Sequence, residues 1–187
     1  MNKLQEMMGI QNKLNCHIDP LWSQKQYAWE RAIWVECAEA MEHLGYKWWK
    51  HQEPDINQVK MELVDIWHFA MSLNMEDNKP IYFEKTDPGD LRLMLDNIAG
   101  EAASHKSFDN LSFCIACASI GMNFNKLYEL YMRKAVLNLF RQDHGYKKGT
   151  YVKIWQGLED NEVVATLPVE GLYESLEECY QEALNNG

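Results

Sequence analysis

Residues 33–41 read IWVECAEAM and residues 61–71 read MELVDIWHFAM. Each stretch sets two acids i,i+3 among large apolar side chains: Glu36 with Glu39, and Glu62 with Asp65. In a helix, residues at i and i+3 point to the same side. Acids buried among Trp, Ile, Val and Phe are costly unless something compensates their charge. Two adjacent helices carrying such pairs predict a bundle whose core brings the pairs face to face. A cation is the simplest compensation.

Working outward, the pattern is helix after helix. Residues 2–16 carry a stripe of Leu4, Met7, Met8, Gln11 and Leu14. Asp19-Pro20 breaks it. A capping box of Ser23 and Gln26 predicts the start of the first acidic helix, which runs to about His43 and stops at Gly45. The loop GYKWWKHQEPD follows at 45–55. Asp55, with Gln58 three residues on, predicts a third helix to about Asn78, ended by Lys79-Pro80. Two more helices are expected over 87–104 and 108–120, the first begun at Asp87-Pro88. Gly121 is a C-cap and Asn123 an N-cap in this reading, and a last long helix reaches about Asp143. GYKKGTYVKIW at 145–155 then reads as a loop with a short strand, EVVAT at 162–166 as a strand, and LYESLEECYQEAL at 172–184 as a helix. The expected fold is all-α, a multi-helix bundle with a short mixed C-terminal tail. Residues 1–156 form the domain, and 157–187 are an extension packed on it.

Bulk properties narrow the function classes. The 187 residues are 47% hydrophobic and 12% aromatic with seven Trp, which supports one packed domain and excludes a disordered chain. A net charge of −10 argues against nucleic acid as the partner. No apolar run is long enough for a membrane span, and the amphipathic opening MNKLQEMMG does not read as a signal peptide, so a cytoplasmic protein is expected. The five cysteines are Cys16, Cys37, Cys114, Cys117 and Cys179. Cys114 and Cys117 form a CxxC, but with no second pair or nearby His they read as core residues of a buried helix.

Four constellations carry chemistry. The acidic quartet suits Mg²⁺, which prefers oxygen ligands and keeps water positions that phosphates can replace. A di-iron reading of Asp65 and His68 as DxxH is the lesser alternative, for want of a second carboxylate-xx-His on the first helix. Next, Lys134, Asn138 and Arg141 share one helical face, and Tyr146, Lys147 and Lys153 follow in a Gly-punctuated loop. That much positive charge in an acidic chain fits phosphate, although a helix C-terminus alone would favour Arg141. Third, Tyr46-Lys47-Trp48-Trp49-Lys50 can stack a base and reach a phosphate, or pack an interface. Last, Gln11 and Asn15 are an i,i+4 amide pair able to read a base edge.

Taken together, QNKLN at 11–15, ECAE at 36–39, KWWK at 47–50, ELVDIWHF at 62–69 and YMRKAVLNLFRQDHGYKKGTYVK at 131–153 resemble the all-α dimeric dUTPase family, relatives of the MazG-type nucleotide pyrophosphatases. The resemblance implies a homodimer that hydrolyses dUTP, and dUDP, to dUMP with Mg²⁺. It implies that Glu36, Glu39, Glu62 and Asp65 hold the metal. Lys134, Asn138, Arg141, Tyr146 and Lys153, with Lys50 or Lys47, would contact the phosphates and sugar. Gln11, Asn15, Trp49, His68 and Phe69 would line the base and deoxyribose pocket. Glu36, then Glu39, is the candidate general base; spacing does not separate ligand from base. A phage-type dCTP/dUTP pyrophosphatase, a broader MazG-like enzyme and a nucleotide-binding helical dimer without turnover are the alternatives.

Overall fold

The computed structural model describes residues 2–186, and Met1 of the MNKLQEMMG opening lies outside them. The described residues form eight α-helices and one two-stranded sheet, an all-α protein with a mixed tail as the periodicity predicted. The chain divides into two compact units, Met1–Tyr128 and Glu129–Gly187.

The first unit contains α1 (Lys3–Ile18), α2 (Trp29–His43), α3 (Ile56–Glu76), α4 (Leu91–His105) and α5 (Asn110–Ser119), and the start of α6 (Phe124–Asp143). Helix α3 is its axis. Asp55 caps it, accepting from the backbone N–H of Asn57 (3.0 Å) and Gln58 (3.1 Å), as the sequence indicated. Val59, Leu63, Val64, Ile66, Trp67 and Met71 are then buried around more than one face. A helix apolar on most sides must be surrounded, and α1, α2 and α5 all pack on α3. The Trp67 ring stacks on Phe113 of α5 with centroids 5.1 Å apart. Cys114 and Cys117 are buried in α5 with free thiols, and burial pushes the Cys117 thiol well up. Helix α2 ends at His43 with Leu44 as its C-cap, and the following Gly45 has φ +72°; a Cβ there would sit 2.8 Å from Gln52 Cβ.

Two helix starts differ from the sequence reading. The Ser23–Gln26 capping box does not form: 22–24 is a 3-10 turn, Gln26 has φ +48°, and α2 begins at Trp29. Burial of Trp22 decides this. Its ring packs edge-on against Trp29 at 6.0 Å and its Nε1 donates to Asn12 Oδ1 (3.2 Å), while the Tyr27 hydroxyl donates to Asp19 (2.6 Å). Helix α4 starts at Leu91 rather than 87, because Asp90 supplies the cap, accepting from Arg92 N at 3.0 Å.

The second unit holds the rest of α6, a 3-10 turn at Tyr146–Lys148, strands β1 (Ile154–Trp155) and β2 (Leu158–Glu159), and helices α7 (Asp160–Thr166) and α8 (Leu172–Asn186). The strands pair antiparallel with Ile154 opposite Glu159. Their two-residue turn, Gln156-Gly157, has φ +52° and +88°, the positive pair that a type I′ hairpin needs. EVVAT is helical, not a strand. Glu159 and Glu162 close a reciprocal capping box, and Val164 turns into the core. That core joins Leu137 and Phe140 of α6 to Trp155, Val164, Leu172, Leu176 and Tyr180.

Candidate active site

Helices α2 and α3 pack directly on each other. Their i,i+3 acids consequently converge: carboxylate oxygens of Glu36, Glu62 and Asp65 all lie within 4.8 Å of one another. Glu62 is buried, and Glu36 and Asp65 are half-buried. His43 Nε2 stands 3.4 Å from Glu62 Oε1. Like charges this close cannot all be carried without compensation. Burial, followed by the charges of Asp65, Glu62 and Glu39 and a hydrogen bond with Glu62, pushes the Glu36 carboxyl up from 4.5 to about 8. Glu39, one turn along, is exposed and not among the three converging acids, although its charge reaches Glu36.

Three oxygen donors whose charges resist coexistence fit a hard divalent cation. No thiol or imidazole belongs to the group, which favours Mg²⁺, Mn²⁺ or Ca²⁺ over softer ions. His68 is engaged elsewhere, so the DxxH does not act as a chelating pair.

That engagement is a buried polar network between α1 and α3. His68 Nδ1 donates to Gln11 Oε1 (2.6 Å). Gln11 Nε2 donates to Asn15 Oδ1 (3.0 Å) and to Ser72 Oγ (3.1 Å), and Asn15 Nδ2 also donates to Ser72 Oγ (2.9 Å). The Ser72 hydroxyl in turn donates to the His68 carbonyl (3.1 Å). Gln11, Asn15, His68 and Ser72 are all buried. Networks of this kind fix side-chain orientation when each member is satisfied. Three of the five expected base-pocket residues are thereby brought together. Phe69 packs on Trp29 at 6.3 Å between centroids. Trp49 lies apart in the exposed loop, against Trp48 and Tyr46 at 5.6 and 6.0 Å, and Trp48 is 90% exposed. Ser72 escaped the sequence reading. Its position four residues after His68 was the available signal, because i,i+4 puts both on one face.

In the KWWK loop, Lys47 pairs with Glu42, and that contact holds its ammonium above the usual lysine value. Lys50 is exposed.

In the second unit, Lys134, Asn138 and Arg141 do share a face of α6. Lys134 and Arg141 are buried, which for cations demands partners. The partners come from the start of α7. Asp160, fully buried, takes Arg141 Nε at 2.8 Å and Nη2 at 2.7 Å. Asn161 Oδ1 accepts from Lys134 Nζ at 2.9 Å and from Arg141 Nη2 at 3.3 Å. Arg141 Nη1 reaches Asn138 Oδ1 at 3.4 Å, and the guanidinium lies over the Tyr146 ring, 5.7 Å from its centre. Lys153 pairs with Glu159 at 3.0 Å. Asp160 and Asn161 were also missed, since nothing local in an acidic tail distinguishes two acceptors that serve a helix some twenty residues back.

No curated protein matches the chain significantly. A family model described as dUTPase matches residues 3–146, from the start of α1 to the turn after α6. With its helical fold, the chain therefore belongs to the all-α dUTPase family, enzymes that hydrolyse dUTP to dUMP.

Proposed function

We propose that this dUTP diphosphatase is Mg²⁺-dependent, that Glu36, Glu39, Glu62 and Asp65 serve the metal, and that it releases pyrophosphate from dUTP and phosphate from dUDP. The observation that carries the reading is the convergence of Glu36, Glu62 and Asp65 within 4.8 Å. Bound there, Mg²⁺ would supply Lewis-acid stabilisation of phosphate oxygens and lower the pKa of water. Hydrolysis forms a bond from the water oxygen to phosphorus and breaks the bond from phosphorus to the leaving pyrophosphate. The water's proton goes to a carboxylate oxygen of Glu36, or of Glu39 in the second assignment. A carboxylate kept ionised by a neighbouring cation would be able to accept that proton.

Gln11, Asn15 and His68, held by Ser72, read the base and deoxyribose together with Trp49 and Phe69. Uracil is selected by hydrogen bonds that cytosine cannot satisfy, a basis on which buried polar sites discriminate strongly. Lys134, Asn138, Arg141, Tyr146 and Lys153, with Lys47 and Lys50, bind phosphate and sugar and stabilise the departing anion. The catalytic domain spans 1–156, with 157–187 an extension packed on it, and the enzyme works as a homodimer in the cytoplasm. None of the helices is long and apolar enough to cross a membrane among the described residues.

Variants Glu62→Gln and Asp65→Asn test the metal assignment. Both are expected to lose Mg²⁺-dependent release of dUMP while keeping the helical circular dichroism. Retained activity in both removes these acids from the metal site.

A further inference from the structure

We propose that Asp160, at the start of α7, is a positioning residue that sets the Arg141 guanidinium for phosphate, making the C-terminal extension part of the nucleotide site. This rests on the reading that Arg141 contacts phosphate.

Arg141 presents its Nε and Nη2 edge to both oxygens of Asp160, a bidentate pair that fixes the plane of the guanidinium as well as its place. Asp160 is held in turn. The Tyr151 hydroxyl donates to its Oδ2 at 2.8 Å, and its own backbone N–H donates to the Lys153 carbonyl at 3.0 Å. The Gln156-Gly157 hairpin returns the chain to α6, and the Glu159–Glu162 capping box fixes the first turn of α7. Asn161 ties Lys134 to Arg141 through one shared oxygen.

A fully buried ion pair contributes little to stability over well-packed apolar residues, since two charges must be desolvated to form it. Orientation is what the pair supplies. A guanidinium locked by one carboxylate is preorganised for a second anion and loses less side-chain entropy on binding it. Asp160 and Asn161 lie beyond residue 146, where the dUTPase family match ends.

The test is steady-state kinetics with dUTP, and competitive inhibition by inorganic pyrophosphate, on wild type, Asp160→Asn, Arg141→Ala and the double variant, each with its thermal melt. Asp160→Asn is expected to weaken pyrophosphate inhibition and raise KM about 10–100-fold, the scale of lost charge-assisted hydrogen bonds. Added to Arg141→Ala, it is expected to cost nothing further. An Asp160→Asn enzyme with a lower melting temperature but unchanged KM and inhibition would overturn the proposal, leaving Asp160 a structural residue. Tighter pyrophosphate binding would overturn it too, by showing that the carboxylate competes with phosphate. If Arg141→Ala alone leaves KM and inhibition unchanged, the phosphate role of Arg141 has failed, and the proposal falls for that separate reason. Should Asp160→Asn fail to fold, Tyr151→Phe carries the test. It removes one donor to Asp160 and is expected to shift pyrophosphate inhibition about 3–10-fold in wild type but not beside Arg141→Ala; no shift in either background contradicts the proposal.

Discussion

Substituting Glu36→Gln is expected to stabilise the metal-free protein at alkaline pH. In the fold, burial and then the charges of Asp65, Glu62 and Glu39 raise the Glu36 carboxyl from 4.5 to about 8. Between those values the folded state holds a proton that the unfolded state has lost. Folding stability therefore falls as pH rises through this window, and the penalty is complete above about 8. The full rise corresponds to roughly 5 kcal/mol. Water reaching the half-buried carboxyl screens much of it, leaving on the order of 1–2 kcal/mol. Glutamine carries no charge to desolvate or repel. In EDTA, urea unfolding at pH 5 and pH 8.5 should show wild type losing about 1–2 kcal/mol more than the variant across the window. In melting temperature that is roughly 2–8 °C for a chain of this size. Added Mg²⁺ should restore wild type at pH 8.5 far more than Glu36→Gln. Parallel pH profiles for the two proteins, with equal response to Mg²⁺, would refute the crowded-carboxylate reasoning.

Ser72→Ala removes the oxygen that accepts from both Gln11 and Asn15. It should cost about 1–3 kcal/mol in urea unfolding and raise KM for dUTP more than it lowers kcat; unchanged stability would show that the amides do not depend on this hub. Trp155→Ala empties the centre of the second unit, where the indole sits 5.5 Å from Tyr180 and 6.0 Å from Phe140. A loss of about 3–5 kcal/mol is expected by chemical denaturation, and a loss under 1 kcal/mol would mean that this cluster is not a tightly packed core.

Much of this organisation is written locally in the chain. The i,i+3 acids needed only helical periodicity and a neighbouring helix to converge, and Asp55 capped its helix through bonds spanning two and three residues. What failed to read locally was settled by burial or by distant partners. The Ser23–Gln26 signal yielded to Trp22, whose burial outweighs a cap worth about 1 kcal/mol. EVVAT has β-branched residues, yet an acid three residues before Glu162 made it helical, because capping and one buried Val outweigh weak strand propensity. Arg141 and Lys134 were recognisable as a cationic face. Their acceptors were not, since an acid in a tail of acids says nothing of which cation it meets. Glu39 shows the opposite limit: the i,i+3 rule puts it on the side of Glu36, but it does not say how far along the neighbouring helix the cluster extends.

Metal-dependent selection of dUTP is tested by a head-to-head turnover measurement of dUTP, dCTP, dTTP and UTP by the wild-type enzyme, with Mg²⁺ and with EDTA, scoring nucleoside monophosphate and pyrophosphate. The enzyme is expected to turn dUTP over to dUMP and pyrophosphate far ahead of the other three, and EDTA is expected to abolish the reaction. Preference for dCTP, equal turnover of all four, or undiminished activity in EDTA would contradict this.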